Sequence, residues 1–390
     1  MSAAEAVPQR VHPLLVALAI VISAVLLVLS AMVVIPPISM GLFPLAVGAS
    51  EMSPFVALLD LVWCLVVLRL LRGRPLLRTS LLVALAIGAV IAVQPLAKFR
   101  AAAESASAQL GTEGSVPQFS LITALRGLPT NPHLGVRIIT YAAADGTPLS
   151  MRLYARPKPV LRPLVIVIYG GAWRGGDATQ AEDVSRALAL RGFAVAAIDY
   201  RHAPRFQYPA QLEDVRRGIA LLRDSALAWK LSAEHFALLG RSSGGHLAEL
   251  AAYTPGAFPL RAVVALYAPH DLIRGYRDLP SPDPIGVRDV LTGFLGGTPD
   301  QQMARYRDAS PSTYVRPGLP PTLLIFGGRD NIVKPEFNRG AAAALRRAGV
   351  RVVSVELPWA EHGFDLAPAG LGAQLAFHVI VQFLDRELRR

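Results

Sequence analysis

Apolar positions are unevenly spread along this chain, and three long apolar runs come first: residues 14–35, 53–71 and 80–97. The first carries no charge and ends at Pro36-Pro37, and only Asp60 and Arg69 interrupt the second. An apolar run of about 18 residues or more is long enough to cross a bilayer as a helix. Three membrane spans are therefore predicted. A cleaved signal peptide is the alternative for the first run, but its apolar core would be about 7–15 residues, and this run is longer. Residues 101–134 lose the pattern. They are rich in Ala, Ser, Gly and Pro, and read as a linker or a short helix with a loop.

From residue 135 the rhythm changes. Apolar stretches at 136–141 and 149–154 flank Asp145-Gly146, a hairpin signal. Further apolar, β-branched runs lie at 164–169, 193–198, 236–239, 262–266, 322–326 and 350–355. Helical patterns separate several of them, at 180–191, 210–228 and from 243, and a last one covers 374–387. Repeated strand–helix alternation predicts an α/β domain over 135–390, a mostly parallel sheet with helices on both faces. Residues 271–318 break the rhythm with Pro, Gly and Arg. They are long for a simple connection, and a lid inserted over a pocket is the expected reading.

Composition sharpens the membrane reading. The chain is 53% hydrophobic and only 17% charged, against about 25% charged in average usage. The net charge is +11, of which residues 1–100 supply +4, from seven Lys/Arg and three Asp/Glu. No Lys/Arg run with interleaved aromatics, helix-turn-helix or zinc spacing accompanies that charge, so nucleic acid is not expected as a partner. A basic face suits anionic headgroups better. Cys64, the one cysteine, lies in an apolar run and forms neither an internal disulfide nor a metal cluster.

Orientation follows the Lys/Arg bias of short loops. Arg10 precedes the first run, and Arg72, Arg74 and Arg78 separate the second from the third. Between the first and second runs stands Glu51 without Lys or Arg. The N-terminus is thus expected in the cytoplasm and the α/β domain outside it, although Lys98 and Arg100 run against the bias. An intramembrane Asp60 suggests a function by default. With no second buried charge to relay to, a hydrogen bond to a neighbouring helix is the preferred expectation.

The candidate chemistry lies in the α/β part. Gly240-Arg241-Ser242-Ser243-Gly244-Gly245 fits G-x-S-x-G between a short strand and a helical pattern, the context of a nucleophile elbow. Ser242 is the candidate nucleophile. A Gly-rich phosphate loop would need a following Gly-Lys that is absent. Tyr169-Gly170-Gly171-Ala172-Trp173 ends another strand. Acyl transfer builds negative charge on a carbonyl oxygen, and each N–H aimed at that oxygen is worth about 3 kcal/mol. The N–H groups of Gly171, Ala172 and Ser243 are the candidate oxyanion donors. A serine also needs a base and an acid, in the chain order Ser, acid, His. Of the histidines after Ser242, His378 sits in an apolar helical pattern and His270 precedes most candidate acids. His362, in a loop after a strand, is preferred. Asp330, which follows 322–326 through Gly327-Gly328-Arg329, is the preferred acid over Asp271 and Asp283.

These segments together resemble the esterase/lipase branch of the α/β-hydrolase fold, which includes hormone-sensitive-lipase-like, kynurenine-formamidase-like and feruloyl-esterase-like enzymes. The match covers about 135–390. Residues 169–173 stand for the family's His-Gly-Gly-Gly motif and 199–204 for its D-Y-R-x-A-P segment, and 240–245, 328–330 and 362–364 follow in family order. Tyr169 replaces the family's His, Ala172 its third Gly, and Arg241 the Asp common in lipase-like members; Ser243-Gly244-Gly245-His246 lies closer to the formamidase and feruloyl-esterase group, where His246 is structural. The resemblance implies hydrolysis of a small-molecule or lipid carboxylic ester through an acyl-enzyme, with no metal or cofactor. Acyltransferase, amidase or peptidase action on the same triad is the alternative, and a non-catalytic binding module a remote one.

Overall fold

The computed structural model describes residues 11–131, 133–155, 161–256 and 258–389. Arg10, counted above for orientation, lies outside them. Four helices come first: α1 (Pro13–Met32), α2 (Phe43–Glu51), α3 (Ser53–Leu70) and α4 (Pro75–Leu110). Helices α1, α3 and α4 are long and apolar enough to cross a membrane. They bundle through small and polar contacts. The Ser30 hydroxyl donates to Asp60 at 2.7 Å, and the Trp63 indole N–H donates to Ser23 at 3.0 Å. A Cβ on Gly88 of α4 would come within 3.0 Å of the Asp60 carboxylate. Asp60 thus makes the interhelical hydrogen bond expected of it.

The expected boundary near residue 100 is not there. Helix α4 runs on to Leu110 and stops at Gly111, which takes the left-handed conformation common after a helix. Its 101–110 stretch is too polar to look like a span, but alanine is the best helix former, and there is no breaker to end the helix sooner. Phe99, Ala102, Ala103, Ala106 and Leu110 are buried in the core of the following domain. The first third of the supposed linker is therefore structural, and a short α5 (Leu121–Arg126) follows.

The sheet has eight strands: β1 (Val136–Ala142), β2 (Pro148–Tyr154), β3 (Arg162–Ile168), β4 (Ala194–Ile198), β5 (Leu231–Arg241), β6 (Ala262–Leu266), β7 (Thr322–Gly327) and β8 (Val352–Leu357). Their order is β1-β2-β4-β3-β5-β6-β7-β8. The pairs β1–β2 and β2–β4 are antiparallel and all later pairs parallel. Strands β4, β6 and β7 are buried along their whole length, because a parallel sheet is covered on both faces.

Alternate side chains feed two cores. Val165 and Val167 face α4, α6 (Glu182–Leu190) and α13 (Leu371–Leu388). Leu164, Ile166 and Ile168 face α7 (Ala210–Asp224), α8 (Ser243–Tyr253) and α12 (Pro335–Arg347). The chain moves one way from β3 to β4 and then crosses back over β3 to β5 on its other side. Ligands of open α/β sheets bind at such a switch point, beyond the carboxyl ends of the strands.

The 271–318 segment is folded. It forms α9 (Leu272–Arg277), α10 (Val287–Leu295), α11 (Pro299–Asp308) and a 3₁₀ turn at Pro311–Tyr314. Leu272, Val290, Leu291, Phe294 and Tyr306 bury themselves in the second core.

Candidate active site

Ser242 sits between β5 and α8 with φ of 50°, a backbone conformation rare for residues other than glycine. The surroundings enforce it. A Cβ on Gly240 would collide with the backbone of Gly244, and one on Gly244 with the carbonyls of Ile168 and Tyr169. The Ser242 N–H donates to the Leu266 carbonyl at 2.9 Å, and its own carbonyl accepts from His246 N at 3.0 Å as α8 begins. The elbow is thus locked between two strands with its hydroxyl presented above the sheet edge.

The loops after β7 and β8 meet beside it. Glycine at 327 and 328 lets them touch, since a Cβ at either position would run into Ala360 or Pro358. Gly328 N donates to Leu357 O at 2.8 Å and Arg329 N to Ala360 O at 3.0 Å. This brings the Asp330 carboxylate within 2.8 Å of His362 Nδ1, and His362 Nε2 within 2.9 Å of Ser242 Oγ. The other Asp330 oxygen accepts from Ile332 N at 2.8 Å and Val333 N at 2.7 Å. Asp330 and His362 are both buried. With Asp330 accepting from Nδ1–H, Nε2 is left free to accept the serine proton.

The three expected oxyanion residues gather at the same switch point. Gly171, Ala172 and Trp173 have φ of 141°, 53° and 58°, a turn that lifts the backbone away from β3. Among the described residues, the N–H groups of Gly171, Ala172 and Ser243 donate to no backbone carbonyl. Ala172 and Ser243 line a pocket together with Ser242 and Trp173, and Gly171 stands one residue behind. The pocket is mostly apolar, with α9 and α10 supplying Leu272, Gly275, Val287, Val290 and Leu291, and Ile332, Val333 and Phe337 opposite. The 271–318 segment thus supplies one wall of the pocket that holds the serine.

The rival candidates are engaged elsewhere. Asp271 caps α9 by accepting from Arg274 N at 2.9 Å, and Asp283 accepts from Val287 N. His270 lies between Glu249 at 2.7 Å and Asn338 at 2.9 Å. Burial works against its charge, but the Glu249 carboxylate, with Asn338 and Asp271, raises the His270 pKa. His378 lies half-buried in α13, its pKa lowered by burial. His246 accepts from the Trp173 indole N–H at 3.2 Å and donates to Ala309 O at 2.7 Å. Burial holds it down to about 3, so it stays neutral and serves the packing of Trp173.

Sequence reading missed several supports. The Arg241 guanidinium pairs with Asp365, which also accepts from the Tyr267 hydroxyl. The Tyr267 ring lies 4.5 Å from that of His362. The spacing of Asp365, three residues after His362, was the available signal. Tyr169, in place of the family's His, stacks on Tyr200 at 4.4 Å and donates its hydroxyl to Asp199, with His202 Nε2 2.8 Å away. Burial raises the pKa of both Tyr169 and Asp199. Ala203 N donates to Trp173 O at 2.8 Å, so the 199–204 segment braces the 169–173 turn.

Residues 151–345, half of the chain, match the model of the BD-FAE family. The chain belongs to the BD-FAE family. Two curated relatives of this BD-FAE chain are esterases of Mycobacterium tuberculosis. Esterase LipC is 33% identical over 57% of this chain and 58% of its own length. Esterase LipQ is 32% identical over 57% of this chain and 55% of its own length. The BD-FAE chain thus spans little more than half the length of either. The crystal structure of esterase LipW from Mycobacterium marinum superposes with a TM-score of 0.58 at 22% identity, covering 77% of this chain and 91% of that one. At that identity the likeness speaks for the fold, which is the α/β-hydrolase fold expected from the motifs.

Proposed function

We propose that this protein is a membrane-anchored serine hydrolase that cleaves carboxylic esters. The observation that carries the reading is the unbroken hydrogen-bonded series Ser242–His362–Asp330 at the mouth of an apolar pocket. His362 takes the Ser242 proton as Oγ attacks the ester carbonyl, and Asp330 stabilises the imidazolium that forms. The N–H groups of Gly171, Ala172 and Ser243 hold the developing oxyanion. His362 then protonates the departing alcohol, and water, activated by the same imidazole, releases the acid from the acyl-enzyme. The mostly apolar lining favours an acyl chain over a sugar or a peptide.

Three apolar helices support the anchoring. The loop bias of the sequence puts the catalytic domain on the extracytoplasmic side. The α1–α3 connection, which three spans put on the same side as the catalytic domain, touches that domain through Glu51. The full chain in detergent should release p-nitrophenol from short acyl esters and label with a fluorophosphonate. Ser242→Ala should lose both, with turnover falling by about 10⁶-fold. Equal hydrolysis by the two proteins would end the proposal.

A further inference from the structure

The connection between the first two apolar helices reaches into the catalytic domain. Glu51, the last residue of α2, is fully buried and accepts from the N–H of Gly372 at 2.5 Å, at the start of α13. A Cβ on Gly370 or Gly372 would come within 2.6 or 2.8 Å of the Glu51 side chain, so the two glycines leave its path clear. Phe43, the first residue of α2, is also buried, and a Cβ on Gly363 would come within 3.9 Å of its ring. The segment from His362 to α13 is therefore touched by α2 at both ends. A second contact involves the acid. Arg329, the neighbour of Asp330, donates to the carbonyl of Val33 just beyond α1 and pairs with Glu361, the neighbour of His362, at 3.2 Å.

We propose that the α1–α3 connection, α2 included, is a positioning element of the hydrolase site, with Glu51 and Phe43 holding the His362 loop and the Val33 carbonyl holding the Asp330 loop. The inference rests on the serine-hydrolase reading and adds to it that the anchor sets the geometry of catalysis. A carboxyl group taken wholly out of water is costly unless it is paired or neutral. Glu51 meets that demand in two ways. Burial pushes it up to about 8, so it carries its proton at neutral pH, and it receives an N–H from the positive end of a helix. A neutral acid that accepts through one oxygen and carries its proton on the other can be replaced by an amide, which keeps the accepting oxygen, whereas a methyl group leaves the Gly372 N–H without a partner.

The test uses the full chain in lipid nanodiscs. Active serine is counted by fluorophosphonate titration, so that turnover is expressed per titratable Ser242. Misplacing a reacting group by about 1 Å costs up to ~10²-fold. Glu51→Ala and Phe43→Ala should each lower kcat per site by about tenfold or more, with KM little changed, and Glu51→Gln should restore kcat to near the wild-type value. A merely structural role would lower the titratable fraction and leave turnover per site untouched, and that outcome overturns the proposal. So would a rise in KM at constant kcat, or a Glu51→Gln protein as slow as Glu51→Ala. A wild type that neither labels nor turns over would instead sink the underlying hydrolase reading.

Discussion

Replacing Asp330 by Asn tests the site most sharply, because the surroundings dictate which way the new amide points. One oxygen of Asp330 accepts from two backbone N–H groups, those of Ile332 and Val333. An amide NH₂ cannot accept, so the Asn oxygen must take that place. The NH₂ then faces His362 Nδ1, where the carboxylate oxygen stood 2.8 Å away. It donates to Nδ1 and forces the imidazole proton onto Nε2, the atom 2.9 Å from Ser242 Oγ. In that tautomer His362 cannot accept the serine proton. The same change in a serine-protease triad lowers kcat by about 10⁴-fold, or ~5 kcal/mol of transition-state stabilisation. The backbone contacts of residue 330 survive, so folding should be little affected. Steady-state hydrolysis of p-nitrophenyl acetate by Asp330→Asn, corrected for titratable serine, should therefore fall by about four orders of magnitude. A variant that keeps more than about a tenth of wild-type kcat would refute the assignment of Asp330 as the orienting acid.

Two further predictions follow from groups around the site. His246 is held neutral, down to about 3 against an ordinary 6.5, so the unfolded chain binds a proton there that the folded chain refuses. Stability supplied by this group is present above pH 6.5 and lost as pH falls towards 3, with a slope of about 1.4 kcal/mol per pH unit. Thermal unfolding should show wild type losing its lead over His246→Asn across that interval, and a constant gap would contradict the reading. Phe337 and Asp271 border both the Ser242 pocket and a second cavity lined by Val315, Ala341, Ala344 and Leu345. Phe337→Ala should join the two, shift the preferred ester towards longer acyl chains, and cost about 3–5 kcal/mol of stability. An unchanged acyl-length profile would show that Phe337 is not the end wall.

The sequence alone determined a good deal of this protein. Three apolar runs of a length that crosses a bilayer are read as helices buried in lipid or in protein. The signals of β4, β6 and β7 were visible because a parallel strand buried on both faces leaves a solid apolar run, and those of β1 and β2 because a turn signal separates them. Ser242, Gly171 and Ala172 were legible because a strained turn at a sheet edge admits few residue types. His362 and Asp330 were reached by their order and by the loops that carry them.

What the sequence left open depends on distance in space. The end of the third apolar helix could not be read, because 101–110 is held by tertiary burial against β8 and α13 rather than by its own hydropathy. Helix α12 went unnoticed, although Phe337, Ala342 and Leu345 recur on one face at helical spacing. The pairing of Arg241 with Asp365 and the docking of Glu51 at Gly372 join residues 124 and 321 positions apart. A local pattern records propensity and which face is apolar. Which buried charge meets which partner is decided only when the sheet brings distant loops to one edge.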